Sequence, residues 1–160
     1  MAGVDLTQVD GLQVLTVQTI VPEIGWERHR WPTVKPCTSG LGLAPYQDIS
    51  GGKTRRTGTK KTTNRAATAF RLAAQRLHSS PSALGGFYRR MPATPGAPKA
   101  IVDTAHKLAR IVYHLRTYRQ DYVDPGADYS EEKYRDRTIR HLKRTARQLG
   151  LDLVPVTAQP

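Results

Sequence analysis

One short run, Ser50-Gly51-Gly52-Lys53, sets a hydroxyl, two glycines and an ammonium side by side. A serine hydroxyl followed by two glycines is sterically open. Lys53, with Arg55 and Arg56 just beyond it, would hold a phosphodiester beside that hydroxyl and stabilise the charge that builds on phosphorus during attack. Serine before glycine is also ordinary turn chemistry, so these residues by themselves leave a nucleophile and a simple turn both open. The sequence GGKT from Gly51 invites a P-loop reading, because glycine amides and a lysine are how such loops hold phosphates. That motif needs another glycine five positions before Gly52, where Gln47 stands, and no hydrophobic strand leads in. Nucleotide hydrolysis is not expected.

Charge points to the same stretch. The chain carries 25 Lys+Arg against 13 Asp+Glu, a net charge of +12, which calls for a polyanionic partner. No acid occurs between Asp48 and Asp103, while eleven bases do, and the remaining 14 bases face 13 acids. The expected footprint is therefore one segment, with Lys53, Arg55, Arg56, Lys60 and Lys61 at its head and the rest of the surface ordinary. A basic loop that binds nucleic acid without any reaction accounts for this charge as well as an enzyme does.

Other chemistries find little support. His29, His78, His106, His114 and His141 include no i, i+4 pair and no HExxH, so they are not expected to bind metal. Cys37 is the only cysteine, which excludes an intrachain disulfide and a Cys-rich zinc site. Asp124, Asp128, Glu131, Glu132 and Asp136 stand near Lys133, Arg135 and Arg137 and read as helix-surface ion pairs. Tyr113, Tyr118, Tyr122, Tyr129 and Tyr134 read as rims of helix packing rather than a recombinase nucleophile.

The elements that position these residues read as helices. With 160 residues the chain suits one domain, drawn as 1–156 with a tail at 157–160. No apolar run approaches the ~18 residues of a membrane span, and the acidic start MAGVDLTQVD is unlike a signal peptide. A cytosolic, nucleoid-associated protein is expected. A helix is expected over 11–24 after Asp10 as cap, with Leu12, Leu15, Thr16 and Thr19 inward and Pro22 and Gly25 ending it. The Pro- and Gly-punctuated stretch 26–49 leaves room for one or two helical turns. Segment 50–61, without an apolar residue, is expected to be an exposed, permissive loop. Asn64 should cap a helix to 78 whose inner stripe is Ala66, Ala69, Phe70, Ala73, Ala74 and Leu77. A shorter helix over 82–91, weakened by Gly85 and Gly86 and closed by Pro92, Pro95 and Gly96, comes next. A long one over 98–118 buries Ile101, Ala105, Leu108, Ala109, Val112 and Leu115. The last helix is expected from Ser130 to Leu149, stopped by Gly150, and LDLVPV is a short strand or tail. The fold class is all-α, with four to six helices.

Several runs taken in order, VDGLQVLTVQTIVPEIG, WPTVKPCTSGLGLAP, ISGGKTRR, TTNRAATAFRLAAQRLHSSPSALGGFYRR and GAPKAIVDTAHKLARIVYHLRTYRQDYVDPGADYSEEKYRDR, resemble the C-terminal half of the bridge-RNA-guided transposases of the insertion-sequence one-hundred-and-ten family. The resemblance covers about Gly3 to Val156. It implies a site-specific DNA recombinase of a bacterial insertion sequence, in which an N-terminal RuvC-like half with four carboxylates binds Mg²⁺ and the C-terminal domain supplies a serine that becomes joined to DNA. The matching serine is Ser50. Gly51, Gly52 and Lys53 match the same motif, and Asn64 and Arg65 match the start of the following helix. With Arg55, Arg56, Lys60 and Lys61 they make up the expected phosphate-binding set.

The resemblance also implies DNA as partner, with a guide RNA, a second copy or a full-length transposase as further partners and no membrane. No cofactor is expected on this chain itself, because the Mg²⁺-binding half is absent from it; a truncated or remnant copy is the expectation. Two departures stand out. A family Gly-apolar-Gly turn is here Gly11-Leu12-Gln13, and a family helix with an aromatic residue has Gly40 in that place, with Pro36 expected to break it. The alternatives are a non-catalytic DNA- or RNA-binding protein, and an inhibitor that dimerises through the alanine-rich helix at 64–78 and poisons a full-length transposase.

Overall fold

In the computed structural model, which describes residues 3–25, 30–91 and 97–154, the elements run α1 (Val14–Ile24), α2 (Val34–Gly40), β1 (Pro45–Ser50), β2 (Lys53–Thr59), α3 (Arg65–Arg76), α4 (Ala83–Arg90), α5 (Ala97–Tyr118) and α6 (Ala127–Gln148). The 3₁₀ turns Leu6–Gln8 and Leu77–Ser79 lie among the described residues as well. His29, Pro92, Pro95, Gly96 and the tail at 157–160 lie outside the described residues. The chain is mostly helical but not all-α, because segment 50–61, expected as loop, forms the turn and second strand of an antiparallel β-hairpin.

Helix α3 is central. Asn64 caps it as expected, its Oδ1 accepting from the amides of Ala66 and Ala67 at 2.8 and 3.3 Å; this satisfies two donors that a helix start leaves open. The whole expected stripe, from Ala66 to Leu77, is buried between α1 on one side and α5 on the other. From α5 come Ala105, Leu108, Ala109 and Val112, also fully buried. Alanines on both helices let the backbones approach closely. The alanine stripe is thus occupied within the chain, and docking of a second copy on it is overturned. Gly11, at φ +87°, lies so close to α3 that a Cβ there would stand 2.8 Å from the Ala73 carbonyl oxygen. Only glycine serves both needs.

Helix α1 differs from expectation in its inner face. Ile20 and Ile24 are buried and Val17 and Val21 pack beside them, while Leu15 is 78% exposed. The helix starts at Val14 rather than Gly11, so Leu12 is buried as expected but ahead of the helix. Gln13, not Asp10, is its cap residue. Asp10 instead accepts from Ser80 Oγ at 3.3 Å, and Gln13 Oε1 accepts from Arg76 Nη1 at 2.7 Å. Pro22 lies inside the helix, which runs on to Gly25.

Pro36 does not break α2. It is the third residue of that helix, in the first turn, where a backbone N–H would have no intrahelical acceptor anyway. Gly40 is covered by Trp31: a Cβ at 40 would come within 2.6 Å of the Trp31 ring carbon Cζ3. The indole Nε1 donates to Ile24 O at 2.8 Å, Tyr113 OH donates to Trp31 O at 3.1 Å, and Arg116 Nη2 donates to Gly25 O at 2.5 Å. Helix α5 thereby holds both Gly25, at the end of α1, and Trp31, ahead of α2.

Ser82 caps α4, accepting from Gly85 N at 3.1 Å. Gly85 is needed rather than merely tolerated, since a Cβ there would collide with the Ser80 carbonyl. Helix α5 buries the expected face apart from Ile101, which is half-buried. Helix α6 starts at Ala127, earlier than expected, and buries none of its residues. It packs on α4, where Ser130 Oγ accepts from Arg90 Nη2 at 2.6 Å. Gly150 ends it at φ +74°, and 151–154 form no strand.

Candidate nucleophile hairpin and nucleic-acid interface

The hairpin pairs Pro45 with Thr59, Gln47 with Thr57, Asp48 with Arg56, Ile49 with Thr54 and Ser50 with Lys53. Sequence reasoning missed it because a strand is ordinarily announced by apolar alternation, and these strands bury no face. Only Tyr46 and Thr59, at the base, are even half-buried. What forms it is turn chemistry with β-branched Ile49, Thr54, Thr57 and Thr59. Gly51 and Gly52 take φ of +58° and +73°, the two left-handed positions of a type I′ turn, whose twist matches that of the strands. A glycine pair flanked by threonines was the available signal.

The turn sets Ser50 directly across from Lys53 on the last rung. Nothing lies within 4 Å of where a Cβ would stand on Gly51 or Gly52, so the glycines answer to conformation alone and the tip is open from outside. The Ser50 residue is exposed, and among the described residues its hydroxyl has no hydrogen-bond partner.

The register jumps between Asp48 and Ile49, which makes Arg55 the extra residue of a β-bulge. Side chains alternate faces along a strand, and a slip of one residue exchanges them. An unbulged ladder would set Arg56 opposite Gln47, on the face away from Ser50. The bulge sets it opposite Asp48, on the face of Ser50 and Lys53. Hydroxyl, ammonium and guanidinium thus share one side of the hairpin, with Asp48 as the carboxylate among them. From sequence that carboxylate marks only the edge of the acid-free segment.

The other expected phosphate ligands lie away from the tip. Lys60 and Lys61 are exposed in the link from β2 to α3, which is pinned where Gly42, at φ +66°, meets the Lys60 carbonyl. Asn64 and Arg65 stand at the start of α3, beyond the hairpin base, so the structure does not gather them around Ser50. The Asn64 Oδ1 is committed to the cap, leaving its Nδ2 for a ligand. Arg65 is exposed, its Nε 4.0 Å from Glu23 Oε1.

The acid-free segment does not form one surface. Arg76 holds Gln13, Arg89 Nη1 donates to the carbonyls of His78 and Ser80 at 3.2 and 2.6 Å, and Arg90 holds Ser130. The surface elsewhere is not ordinary either: α6 carries no acid between Asp136 and its end, and the ion pairs expected on it are not formed among the described residues. Those residues include no group of three or more His, Cys, Asp or Glu able to hold a metal ion, and no helix long and apolar enough to cross a membrane. Cys37 is buried, and burial pushes its thiol up to about 11.

The model of the Transposase IS116/IS110/IS902 family matches residues 5–89, from the first 3₁₀ turn through the hairpin and α3 into α4. No curated protein and no solved structure matches the chain. The match takes in more than half of the chain and includes the hairpin with Ser50 at its tip, and on that ground the chain belongs to the Transposase IS116/IS110/IS902 family.

Proposed function

We propose that this domain binds DNA through the basic hairpin and joins to it through Ser50. The observation that carries the reading is the last rung of the hairpin: Ser50 faces Lys53 across two glycines held at positive φ, on an open tip. In the proposed step Ser50 Oγ attacks phosphorus, a bridging P–O bond to deoxyribose breaks, and the departing sugar oxygen takes up a proton. The serine proton passes to a base or to water, and the number of phosphodiester bonds is conserved. Lys53 and Arg56, on the same face, bind the phosphate oxygens and stabilise their charge in the transition state. Arg55, Lys60 and Lys61 extend the backbone contact toward α3, with the Asn64 amide and Arg65 at its far end. The resemblance places Mg²⁺-binding carboxylates in a RuvC-like half, and the chemistry is proposed to need that half together with guide RNA.

The test supplies that half, guide RNA and a donor DNA to this chain and looks for protein covalently joined to DNA. Ser50→Ala should abolish the adduct and leave binding nearly unchanged, because the surrounding bases still neutralise phosphate. Lys53→Ala should weaken both. An adduct that survives Ser50→Ala overturns the assignment, and salt-sensitive DNA binding with no adduct in a complementing assembly favours the non-catalytic binding protein.

A further inference from the structure

Helix α6 lies beyond the part of the chain that matches the family, and it packs on α4 beside a cluster of like charges drawn from α4, α5 and α6. Arg90 of α4 reaches toward α6: its Nη2 donates to Ser130, its guanidinium carbon lies 5.2 Å from the centre of the Tyr134 ring, and its Nη1 is buried with no acceptor among the described residues. Lys107 of α5 is half-buried, its ammonium 4.0 Å from the centre of the Phe87 ring. Burial first, then repulsion from Arg90, Arg137 and Arg110, pushes its pKa down. The charges that act on this ammonium are all positive, and they come from three helices. A buried donor without an acceptor, among cations that repel one another, costs stability, and a polyanion lying along the adjoining surface would offset that repulsion.

From Arg137 the positive charge continues outward. Arg137, Arg140, Arg144 and Arg147 recur at i, i+3, i+7 and i+10, so they share one face of α6 over roughly 15 Å. All four are exposed, and shallow grooves along this face are lined by their side chains with His141 and Lys143. No acid follows Asp136 until Asp152. Ile139, Leu142, Ala146 and Leu149 occupy the opposite side. A straight row of guanidinium groups at one-turn spacing, leading away from a cluster of mutually repelling cations, suits a linear polyanion rather than a small one.

We propose that the α4–α5–α6 junction and the arginine face of α6 form a second DNA-binding surface, taking the phosphate backbone of a duplex independently of the Ser50 hairpin. The family acts on DNA, and this surface gives the domain a contact separate from the reactive tip. The proposal does not depend on the role of Ser50.

The experiment measures binding of a fluorescent 20-base-pair duplex to the full chain by anisotropy across a salt series. Replacing Arg137, Arg140, Arg144 and Arg147 together by Ala changes only exposed side chains, and circular dichroism verifies the fold. Affinity should fall at least tenfold at moderate salt, and the log–log salt slope should become shallower by about 3 to 4, near 0.9 for each phosphate that is no longer neutralised. The same four positions changed to Lys should keep most of the slope. Lys107→Gln, with the face intact, should weaken binding by a smaller factor. Changing Lys53, Arg55 and Arg56 to Ala should add to the α6 effect on a logarithmic scale, which separates the two surfaces. Unchanged affinity and slope in the quadruple Ala variant would overturn the proposal. So would a loss seen with a 20-base-pair RNA duplex, used as a second probe, and not with the DNA duplex, or Ile139→Ser with Leu142→Ser abolishing DNA binding while changing the oligomeric state, which would make α6 a protein interface.

Discussion

The Trp31 indole lies over Gly40 and fills the space a side chain at position 40 would need. The aromatic residue that the family resemblance places at 40 thus has a counterpart here, supplied from nine residues earlier in the chain. Gly40→Trp is accordingly expected to lower the melting temperature rather than repair the helix, because two indoles cannot share the site. Trp31→Ala should cost roughly 2 kcal/mol, below the range for a fully buried tryptophan. The two changes together should be less damaging than their sum. A double-mutant cycle by thermal unfolding measures this coupling, and strict additivity would refute the exchange.

Gly51 and Gly52 set the hairpin apart energetically from the helical core. A two-stranded hairpin with no buried face is marginal, so its turn decides whether it forms. Gly52→Val places a β-branched residue at φ +73° and should cost about 1–2 kcal/mol, enough to melt the hairpin. Because neither strand buries a face, the melting temperature of the core should move little. Gly51→Asn should be tolerated, since asparagine suits the first position of a type I′ turn. Amide exchange resolved by residue would show weakened protection from Ile49 to Thr57 alone. Global destabilisation would contradict this separation.

Where apolar spacing and caps agree, the helices were legible from sequence. Asn64 with the stripe ending at Leu77, and the inner face of α5, are of this kind, because burial itself writes the 3.6-residue period. Helix α1 was displaced because Leu15 and Thr16 mimic that period at the wrong register, while the burial that fixes it depends on Ile20 and Ile24 meeting α3. The serine and its glycines were legible as residues but not as a hairpin. Nothing apolar marks strands that stand in water, and the bulge at Arg55, which decides the face of Arg56, leaves no trace in composition. The α6 stripe was hidden by summing charge over the whole chain, since Asp128, Glu131, Glu132 and Asp136 in the first half of the helix cancel the bases of the second.

Cys37 reports on the core. Its thiol is buried, and with a pKa pushed up to about 11 it should resist labelling at neutral pH at a rate set by opening of the fold. Burial makes the folded state favour the protonated thiol. The contribution is present below the unfolded value near 9 and is lost as pH rises through about 11. Cys37→Ala should remove that alkaline decline while making a small cavity. Rapid labelling of the native protein at pH 7 would show that the α2 region opens independently.

Asp48 distinguishes two uses of the hairpin face. It sits two positions before Ser50 on the same strand and directly across from Arg56, so a phosphate bound there meets one carboxylate among the cations. If Asp48 only tempers Arg56, Asp48→Asn should raise affinity for duplex DNA by about two- to fivefold at low salt, the range of an exposed charge pair. The covalent adduct at Ser50 should persist in the complemented assembly. If Asp48 accepts the serine proton, binding should rise in the same way while adduct formation falls by a factor of about a hundred or more. The electrostatic role is the expected result: the carboxylate is exposed, and among the described residues no hydrogen bond joins it to the serine. Measuring affinity and adduct yield on the same variant separates the two roles, because only the second requires that the yield fall while affinity rises.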